Sequence, residues 1–127
     1  MKIIVNSIFK SKIIINKKVF FCQLGKKKTT TKYNKIEGDK CTPLGKWKIN
    51  KIFLRRDKKL NIVLKKNIKR KVIFINESFL WCDDSKSFYY NKLYLNKKVS
   101  KINFSYENLY RCDDVYDIVI ELNYNQD

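Results

Sequence analysis

Short runs of β-branched and aromatic residues, each interrupted by lysine or by turn-forming residues, most constrain what this chain can fold into. The first runs cover residues 2–9, 12–15 and 17–24. Runs of this length and composition are typical of β-strands bounded by turns. Asn16 and Lys17 separate the second run from the third, as a tight turn would. The sequence therefore predicts a mostly β fold that opens with a meander of antiparallel strands.

Later segments continue the β pattern. Residues 47–54 alternate well enough between apolar and polar side chains to indicate a strand, and residues 72–75 and 93–95 are short candidate strands or loop anchors. Residues 116–122 are apolar on both faces as far as Glu121, which predicts a central strand that is covered on both sides.

Loop and helix signals are few. Residues 26–34 are polar, contain three consecutive threonines and are predicted to form a mobile loop. Weak helix signals are limited to a capped turn at residues 83–85 and a turn at residues 105–110. Pro43 and Gly45 are expected to set a turn that leads into the strand at residues 47–54. With no internal repeat or linker, 127 residues predict one domain with a modest core.

The net charge of +17 is the feature that most resembles a nucleic-acid-binding protein. However, lysine supplies most of this charge, and lysine, isoleucine and asparagine, whose codons are all A/T-rich, dominate the sequence. Coding bias therefore accounts for the composition. Arginine, the better bidentate partner of phosphates and guanines, is scarce. We expect weak, non-specific and salt-dependent nucleic-acid binding at most. A basic RNA-binding β protein, with Phe20, Phe21 and Tyr33 as stacking residues, is the least favoured alternative.

Cysteine spacing and the absence of histidine bear on metals and on compartment. Cys22, Cys41, Cys82 and Cys112 are too far apart for paired zinc ligands, and the sequence contains no histidine. We therefore expect free thiols, no metal site and no cofactor. No apolar run approaches the roughly 20 residues of a membrane span, and lysines interrupt the first apolar runs before they reach the length of a signal peptide. As written, the chain is expected to stay in the cytoplasm.

Five segments, in order, carry a resemblance to a known family. They are FCQLGK at residues 21–26, KIEGDKCTPLG at 35–45, RRD at 55–57, WCDD at 81–84 with YN at 90–91, and LYRCDDVYD at 109–117 followed by YN at 124–125. In this order and spacing they resemble the L,D-transpeptidase (YkuD-like) catalytic domain over nearly the full chain. The family's segments are E-G-D-x-x-T-P-x-G, W-C-D-D, Y-N and R-x-D-x-x-Y-D.

The resemblance implies a fold and an activity. It implies a single β-sandwich or partly closed barrel. In this family a cysteine thiolate attacks a peptide bond of a peptidoglycan stem peptide, and a histidine acts as the base. An amine from a second stem peptide then resolves the acyl-enzyme and gives a cross-link. The implied partner is a stem peptide, and the implied location of the activity is the periplasm or the cell wall.

This chain departs from the family pattern at its catalytic residues. The family's histidine and its S/T-x-G-C motif lie downstream of the segment matched by Tyr124 and Asn125, whereas this sequence stops at Asp127. Residues 1–127 are therefore expected to be the N-terminal two-thirds of the catalytic domain, incomplete at the C-terminus and inactive alone. The remaining part of the domain is expected to be encoded in the downstream DNA. A second chain is one way in which it could be supplied. The alternative is a non-catalytic module of the same fold that binds cell-wall peptide or a protein.

Candidate substrate-binding residues lie in two of the matched segments. They are Glu37, Asp39, Thr42, Trp81, Asp83, Asp84, Tyr90 and Asn91. Each set also has a structural interpretation. Glu37 and Asp39 can satisfy the amides of a tight turn at Gly38, and this is the favoured interpretation. Trp81 and its neighbours can form a buried indole followed by a capped turn. For these residues the substrate-binding and the structural interpretation are equally favoured.

An acidic cluster beside an arginine is a candidate metal site. It consists of Asp113, Asp114 and Asp117, with Arg111 next to them. No glycine or further oxygen ligand follows these residues at the spacing of a calcium loop. We therefore interpret the cluster as an internal turn held by salt bridges. Tyr89, Tyr90 and Asn91 are predicted to be packing residues.

Overall fold

The computed structural model describes residues 3–6, 11–15, 17–58, 71–96 and 101–124. These residues form strands, turns and bends without a helix, which confirms the prediction of a mostly β fold. The strands are β1 (Ile3–Asn6), β2 (Lys12–Ile15), β3 (Lys18–Phe21), β4 (Thr29–Thr30), β5 (Thr42–Pro43), β6 (Ile49–Arg55), β7 (Val72–Ile75), β8 (Phe79–Cys82), β9 (Leu93–Leu95), β10 (Tyr106–Asn108) and β11 (Ile118–Leu122). With no helix among them, the described residues offer no helical membrane span.

The chain divides into two compact units, Met1–Lys46 and Trp47–Asp127. In the first unit, β1, β2 and β3 form the predicted antiparallel meander. Lys17 has a φ of 69°, the left-handed conformation that a tight turn between β2 and β3 requires. Residue 2 and residues 7–9 of the predicted first strand lie outside the described residues, as does Asn125 of the last motif.

The segment predicted to be a loop at residues 26–34 contains a short strand. β4 pairs in parallel with β5, with Thr29 opposite Thr42. The amide of Thr42 donates to the carbonyl of Lys28 at 2.9 Å, and the amide of Leu44 donates to Thr30 at 2.8 Å. The prediction of a loop is therefore wrong at Thr29 and Thr30, because residues distant in sequence supply the hydrogen-bond partners that local propensity does not reveal.

The second unit contains two three-stranded sheets, in the orders β11-β6-β7 and β10-β8-β9. Phe53 and Ile75 of the first sheet and Phe79 of the second share one buried core with Leu109. Phe53 is fully buried, and its ring centroid lies 6.3 Å from that of Phe79 and 6.5 Å from that of Trp81. Two sheets over a common core are consistent with the β-sandwich class. Within the described residues neither sheet closes on itself.

Three sequence predictions for this unit are wrong. Residues 116–122 were expected to form a central strand, but β11 lies at the edge of its sheet and pairs with β6 alone among the described strands. Its Ile118 and Leu122 side chains are exposed. Residues 105–110 were a candidate helical turn, yet they contain β10, which pairs with β8. Residues 83 and 84 have no regular structure and Ser85 lies in a turn of the β8–β9 connection, so the candidate helical turn at residues 83–85 is not a helix.

Candidate binding site at the end of strand β6

A buried arginine ends strand β6. Arg55 is only 4% exposed. Its Nε and Nη2 donate to the two carboxylate oxygens of Asp57 at 2.8 and 2.5 Å, and its Nη1 donates to the carbonyl of Arg111 at 2.5 Å. The guanidinium carbon lies 4.1 Å from the ring centroid of Tyr110. A buried charge is tolerated only when it is paired and hydrogen-bonded, and Arg55 meets both conditions.

The charges around Arg55 hold one another in their ionised forms. The hydrogen bond from Arg55 lowers the pKa of Asp57 to about 2, and the same bond raises the pKa of Arg55. Nearby, Arg111 pairs with Asp113 at 2.6 Å and Lys58 pairs with Asp114 at 2.6 Å. The acidic cluster is thus held by salt bridges, as the sequence predicts. Among the described residues, no group of histidine, cysteine and carboxylate side chains is arranged to hold a metal ion.

Asp117 connects this cluster to β11. Its carbonyl accepts a hydrogen bond from the amide of Arg55 at 3.1 Å. Its Oδ1 is buried and has no hydrogen-bond partner among the described residues. The negative charge of Asp117 helps to raise the pKa values of Arg55 and Lys58. Electrostatic attraction, rather than a direct hydrogen bond, therefore offsets part of the cost of burying Asp117 Oδ1.

An open cleft of 570 Å³ lies beside this cluster. Its lining residues are Arg56, Asp57, Ile75, Asn76, Glu77, Ser78 and Tyr110. The Asn76 side-chain oxygen accepts hydrogen bonds from the amide and the hydroxyl of Ser78 at 3.0 and 2.7 Å, which orders the turn between β7 and β8. The cleft is therefore formed by the end of β6, by this turn and by the residue that supports the Arg55 guanidinium.

The cleft offers one charge of each sign to a ligand. The guanidinium of Arg56 lies 4.5 Å from the ring centroid of Phe74, and the side chain is otherwise exposed. Neither Arg56 nor Glu77 forms an ion pair with another described residue. A guanidinium binds a carboxylate through two parallel hydrogen bonds, and a carboxylate binds an ammonium group. This arrangement suits a small ligand that carries both groups, such as a peptide.

The structure brings Trp81 and Asn91 together. Trp81 Nε1 donates to Asn91 Oδ1 at 3.2 Å, and the amide of Asn91 donates to the carbonyl of Cys82 at 2.9 Å. Asn91 has a φ of 57°, a conformation that asparagine tolerates better than most residues. The two residues therefore close the β8–β9 connection from its two ends.

The other candidates on this connection also bond within the protein. Asp83 Oδ1 accepts a hydrogen bond from the hydroxyl of Ser105 at 2.5 Å. Asp84 Oδ1 accepts one from the amide of Lys86 at 2.9 Å, and the amide of Tyr90 donates to the carbonyl of Ser87 at 3.0 Å. These bonds match the interpretation as a capped turn. None of these candidates is among the residues that line the cleft.

In the first unit, Asp39 holds the turn at Gly38. Its carboxylate accepts hydrogen bonds from the amides of Ile36 and Cys41 at 3.0 and 2.8 Å and from Lys35 Nζ at 2.8 Å. Gly38 has a φ of 79°, which favours glycine. Asp39 therefore acts as the structural interpretation expects, while the Glu37 side chain is exposed to solvent.

Thr42 connects the two matched segments of the first unit. Its hydroxyl oxygen accepts a hydrogen bond from the amide of Gly25 at 2.9 Å. A Cβ atom at Gly25 would lie 2.2 Å from the carbonyl oxygen of Lys40, so only glycine fits this approach. Residues 21–26 and 35–45, which the sequence comparison treats as separate motifs, therefore form one local structure.

Replacing Asp39 with asparagine should remove a pH-dependent contribution to stability. The hydrogen bond from Lys35, followed by those from Ile36 and Cys41, lowers the pKa of Asp39 from 3.8 to about 2. Because the folded pKa is below the unfolded value, this stabilisation is present above pH 3.8 and is lost as the pH falls towards 2. The melting temperatures of the wild type and Asp39→Asn should differ at neutral pH and converge in acid. A difference that stays constant across this range would contradict the assignment.

Sequence reasoning missed the cleft and Glu77, and it gave Arg56 no role in a site although RRD at residues 55–57 is one of the matched segments. One signal was available, since the scarce arginines include an adjacent pair at the end of a predicted strand. Comparisons of this chain with protein-family models, with curated proteins and with solved structures gave no match. The geometry of the cleft and the motif resemblance are therefore the observations on which a functional proposal can rest.

Proposed function

We propose that this chain is part of an L,D-transpeptidase-like domain and that the cleft beside Arg56 binds a peptidoglycan stem peptide. The observation that carries the proposal is the cleft itself, which offers an unpaired guanidinium and an unpaired carboxylate among the described residues. Two of the five matched segments meet beside it, because Arg55 and Asp57 come from one and Tyr110 and Arg111 from the other. The order and spacing of the five segments along the sequence add support.

The chemistry of a stem peptide fits these groups. Its carboxylates suit the planar fork of Arg56, and its free amine suits Glu77. The ring of Tyr110 supplies an apolar wall, and the hydroxyl of Ser78 supplies a hydrogen-bonding group. Arg55 lies beneath the site, and Asp57, which lines the cleft, stays bonded to it. Their role is to hold Tyr110 and the end of β6 in position rather than to bind the peptide.

Acyl transfer needs groups that these 127 residues do not contain. No histidine is present to act as a base, and Cys82, which matches the W-C-D-D motif, is fully buried. We infer that another polypeptide segment supplies the nucleophile and the base. The open edge of β11 supports this inference, since Ile118 and Leu122 are exposed there and β6 is its only partner among the described strands. An unpaired edge accepts a further strand through its free backbone groups.

The alternative is a non-catalytic module that binds a stem peptide in the same cleft without any second chain. The bonds of Asp39, Thr42, Trp81 and Asn91 favour this alternative, because these residues stabilise turns of the described structure by themselves. The two proposals share the cleft, so one binding experiment tests both. They differ in whether an added polypeptide that carries the nucleophile and the base produces acyl transfer.

Replacing Arg56 with glutamine should weaken the binding of a stem tetrapeptide by about tenfold or more. The substitution removes the cation that pairs with the ligand's carboxylate, while the exposed position leaves the fold intact. Isothermal titration calorimetry of the purified chain measures the affinity. Lys48→Gln is the matched control, since it removes the same charge from an exposed side chain of the same unit.

Equal affinities of the wild type and Arg56→Gln would show that the peptide binds elsewhere. No binding by the wild type would end the proposal for the cleft. Equal weakening in Arg56→Gln and Lys48→Gln would indicate attraction to the overall positive charge rather than recognition by Arg56.

A further inference from the structure

Five aromatic side chains form a second surface, which we call the aromatic platform. They are Phe88, Tyr89, Tyr94, Phe104 and Tyr106. Successive rings lie close together: the centroids are 5.5 Å apart for Phe88 and Tyr89, 5.2 Å for Tyr89 and Tyr94, 5.1 Å for Tyr94 and Phe104, and 6.5 Å for Phe104 and Tyr106. Most pairs meet edge to face, which is a favourable arrangement for aromatic rings.

The register of the β10-β8-β9 sheet places the platform on the face opposite the core. Tyr94 pairs with Leu80 and Tyr106 pairs with Cys82, so these side chains share one face. The other face carries Trp81, which packs against the buried core cluster. The platform is therefore distinct from the core and from the residues that line the cleft.

Packing accounts for only part of the platform. Leu80 and Cys82 are buried, and the half-buried rings of Tyr94 and Phe104 lie on the same side of the unit's second sheet. Phe88, in contrast, is 83% exposed, and Tyr89 and Tyr106 are 41% and 44% exposed. Neighbouring exposed rings of this kind mark interaction sites more often than isolated apolar residues do.

Local charge favours an uncharged partner. The connection between β8 and β9, which carries Phe88 and Tyr89, contains two aspartates, Asp83 and Asp84, and two lysines, Lys86 and Lys92. The Nζ of Lys92 lies 4.7 Å from the ring centroid of Phe88 and is therefore engaged with the platform itself. The charges of this connection therefore balance. A polyanion would gain little from this connection, because binding to nucleic acid depends on neutralising many phosphates.

We propose that the aromatic platform binds an uncharged glycan built from N-acetylated sugars. The apolar faces of the sugar rings stack on Phe88, Tyr89 and Tyr106, and the two tyrosine hydroxyls add hydrogen bonds to the sugar hydroxyls. The choice of N-acetylated sugars rests on the proposed function, since such sugars form the strands that carry stem peptides. The stacking surface itself does not depend on the cleft.

The test is a titration of the purified chain with a soluble chitin oligosaccharide, which contains N-acetylglucosamine alone. The wild type should bind it with little dependence on salt. Phe88→Ala and Tyr106→Ala should each weaken binding by about 2- to 10-fold. Tyr33→Ala is the control and should have no effect, since this tyrosine is 93% exposed and lies in the other unit. Circular dichroism checks that each variant remains folded.

The outcomes separate this proposal from the others. Absence of oligosaccharide binding by the wild type would overturn it, and so would binding that Phe88→Ala and Tyr106→Ala leave unchanged. Binding of single-stranded RNA that falls steeply with salt and is lost in Phe88→Ala, without glycan binding, would replace the glycan by RNA. Arg56→Gln should affect the stem peptide and not the glycan, while Phe88→Ala should do the reverse, so failure at one site is distinguishable from failure at the other.

Discussion

Replacing Phe53 with alanine should lower the free energy of unfolding by about 3–5 kcal/mol. Phe53 is fully buried in the core that the two sheets of the second unit share, and its ring centroid lies 6.3 Å from that of Phe79 and 6.5 Å from that of Trp81. Alanine would leave a cavity between the sheets that neither can fill without shifting. Urea denaturation followed by tryptophan fluorescence measures the effect. Trp47 and Trp81 are the chain's two tryptophans and both belong to this unit.

Phe88→Ala is the matched control for this experiment, because it removes the same ring from a position that is 83% exposed. Its effect should stay within about 0.5 kcal/mol. Similar losses for both substitutions would show that Phe53 does not occupy the centre of the core. A reduced slope of the denaturation curve, rather than a shifted midpoint, would indicate that the unit no longer unfolds in a single step.

Incubating the 127-residue chain alone with a stem tetrapeptide should give no acyl-enzyme. Loss of a catalytic nucleophile or of its base reduces the rate by about 10⁶-fold in a well-studied hydrolase. This sequence contains no histidine. Of its four cysteines, Cys82 is buried, and Cys22, Cys41 and Cys112 match no nucleophile motif. Mass spectrometry of the intact chain detects any peptide adduct, and a complete transpeptidase domain serves as the positive control.

Labelling with iodoacetamide provides a control for access to the thiols. Cys112 is exposed and should be alkylated, which would show that the absence of an acyl adduct reflects missing chemistry rather than inaccessible sulfur. A specific peptide adduct at any of the four cysteines would contradict the proposal that this chain is inactive alone. It would also require a different base from the family's histidine.

The positions of most strands could be predicted because their composition is local information. Residues 72–75 and 93–95, for which the sequence allowed either strands or loop anchors, are strands with these bounds, and the opening meander has the predicted antiparallel order. β11 was predicted at the right place but in the wrong environment. A run of Ile, Val and Leu indicates two apolar faces, whereas Ile118 and Leu122 remain exposed at the edge of the sheet. The number of neighbours of a strand depends on the topology, which composition does not encode.

The candidate site shows the same limit. Sequence motifs identified Asp39, Thr42, Trp81 and Asn91 as residues with specific roles, and each one makes a specific hydrogen bond. The cleft could not be predicted in this way, because it combines the end of β6 with the β7–β8 turn and with Tyr110. Arg55 and Arg111 are 56 positions apart in the chain. Only the pairing of β6 with β11 and β7 brings such distant residues together.

The position of β6 between β7 and β11 has a consequence for the order in which the second unit folds. The β8–β9 hairpin closes a short connection, so it can form early at a small cost in chain entropy. Leu54, in contrast, pairs with Ile118, and this contact closes a long loop that spans most of the unit. Because closing a long loop costs more chain entropy, this contact should form late. Until then β6 presents one unpaired apolar edge, even where it already pairs with β7. The slow step of folding, and the stage most exposed to aggregation, should therefore be the arrival of β11 at β6.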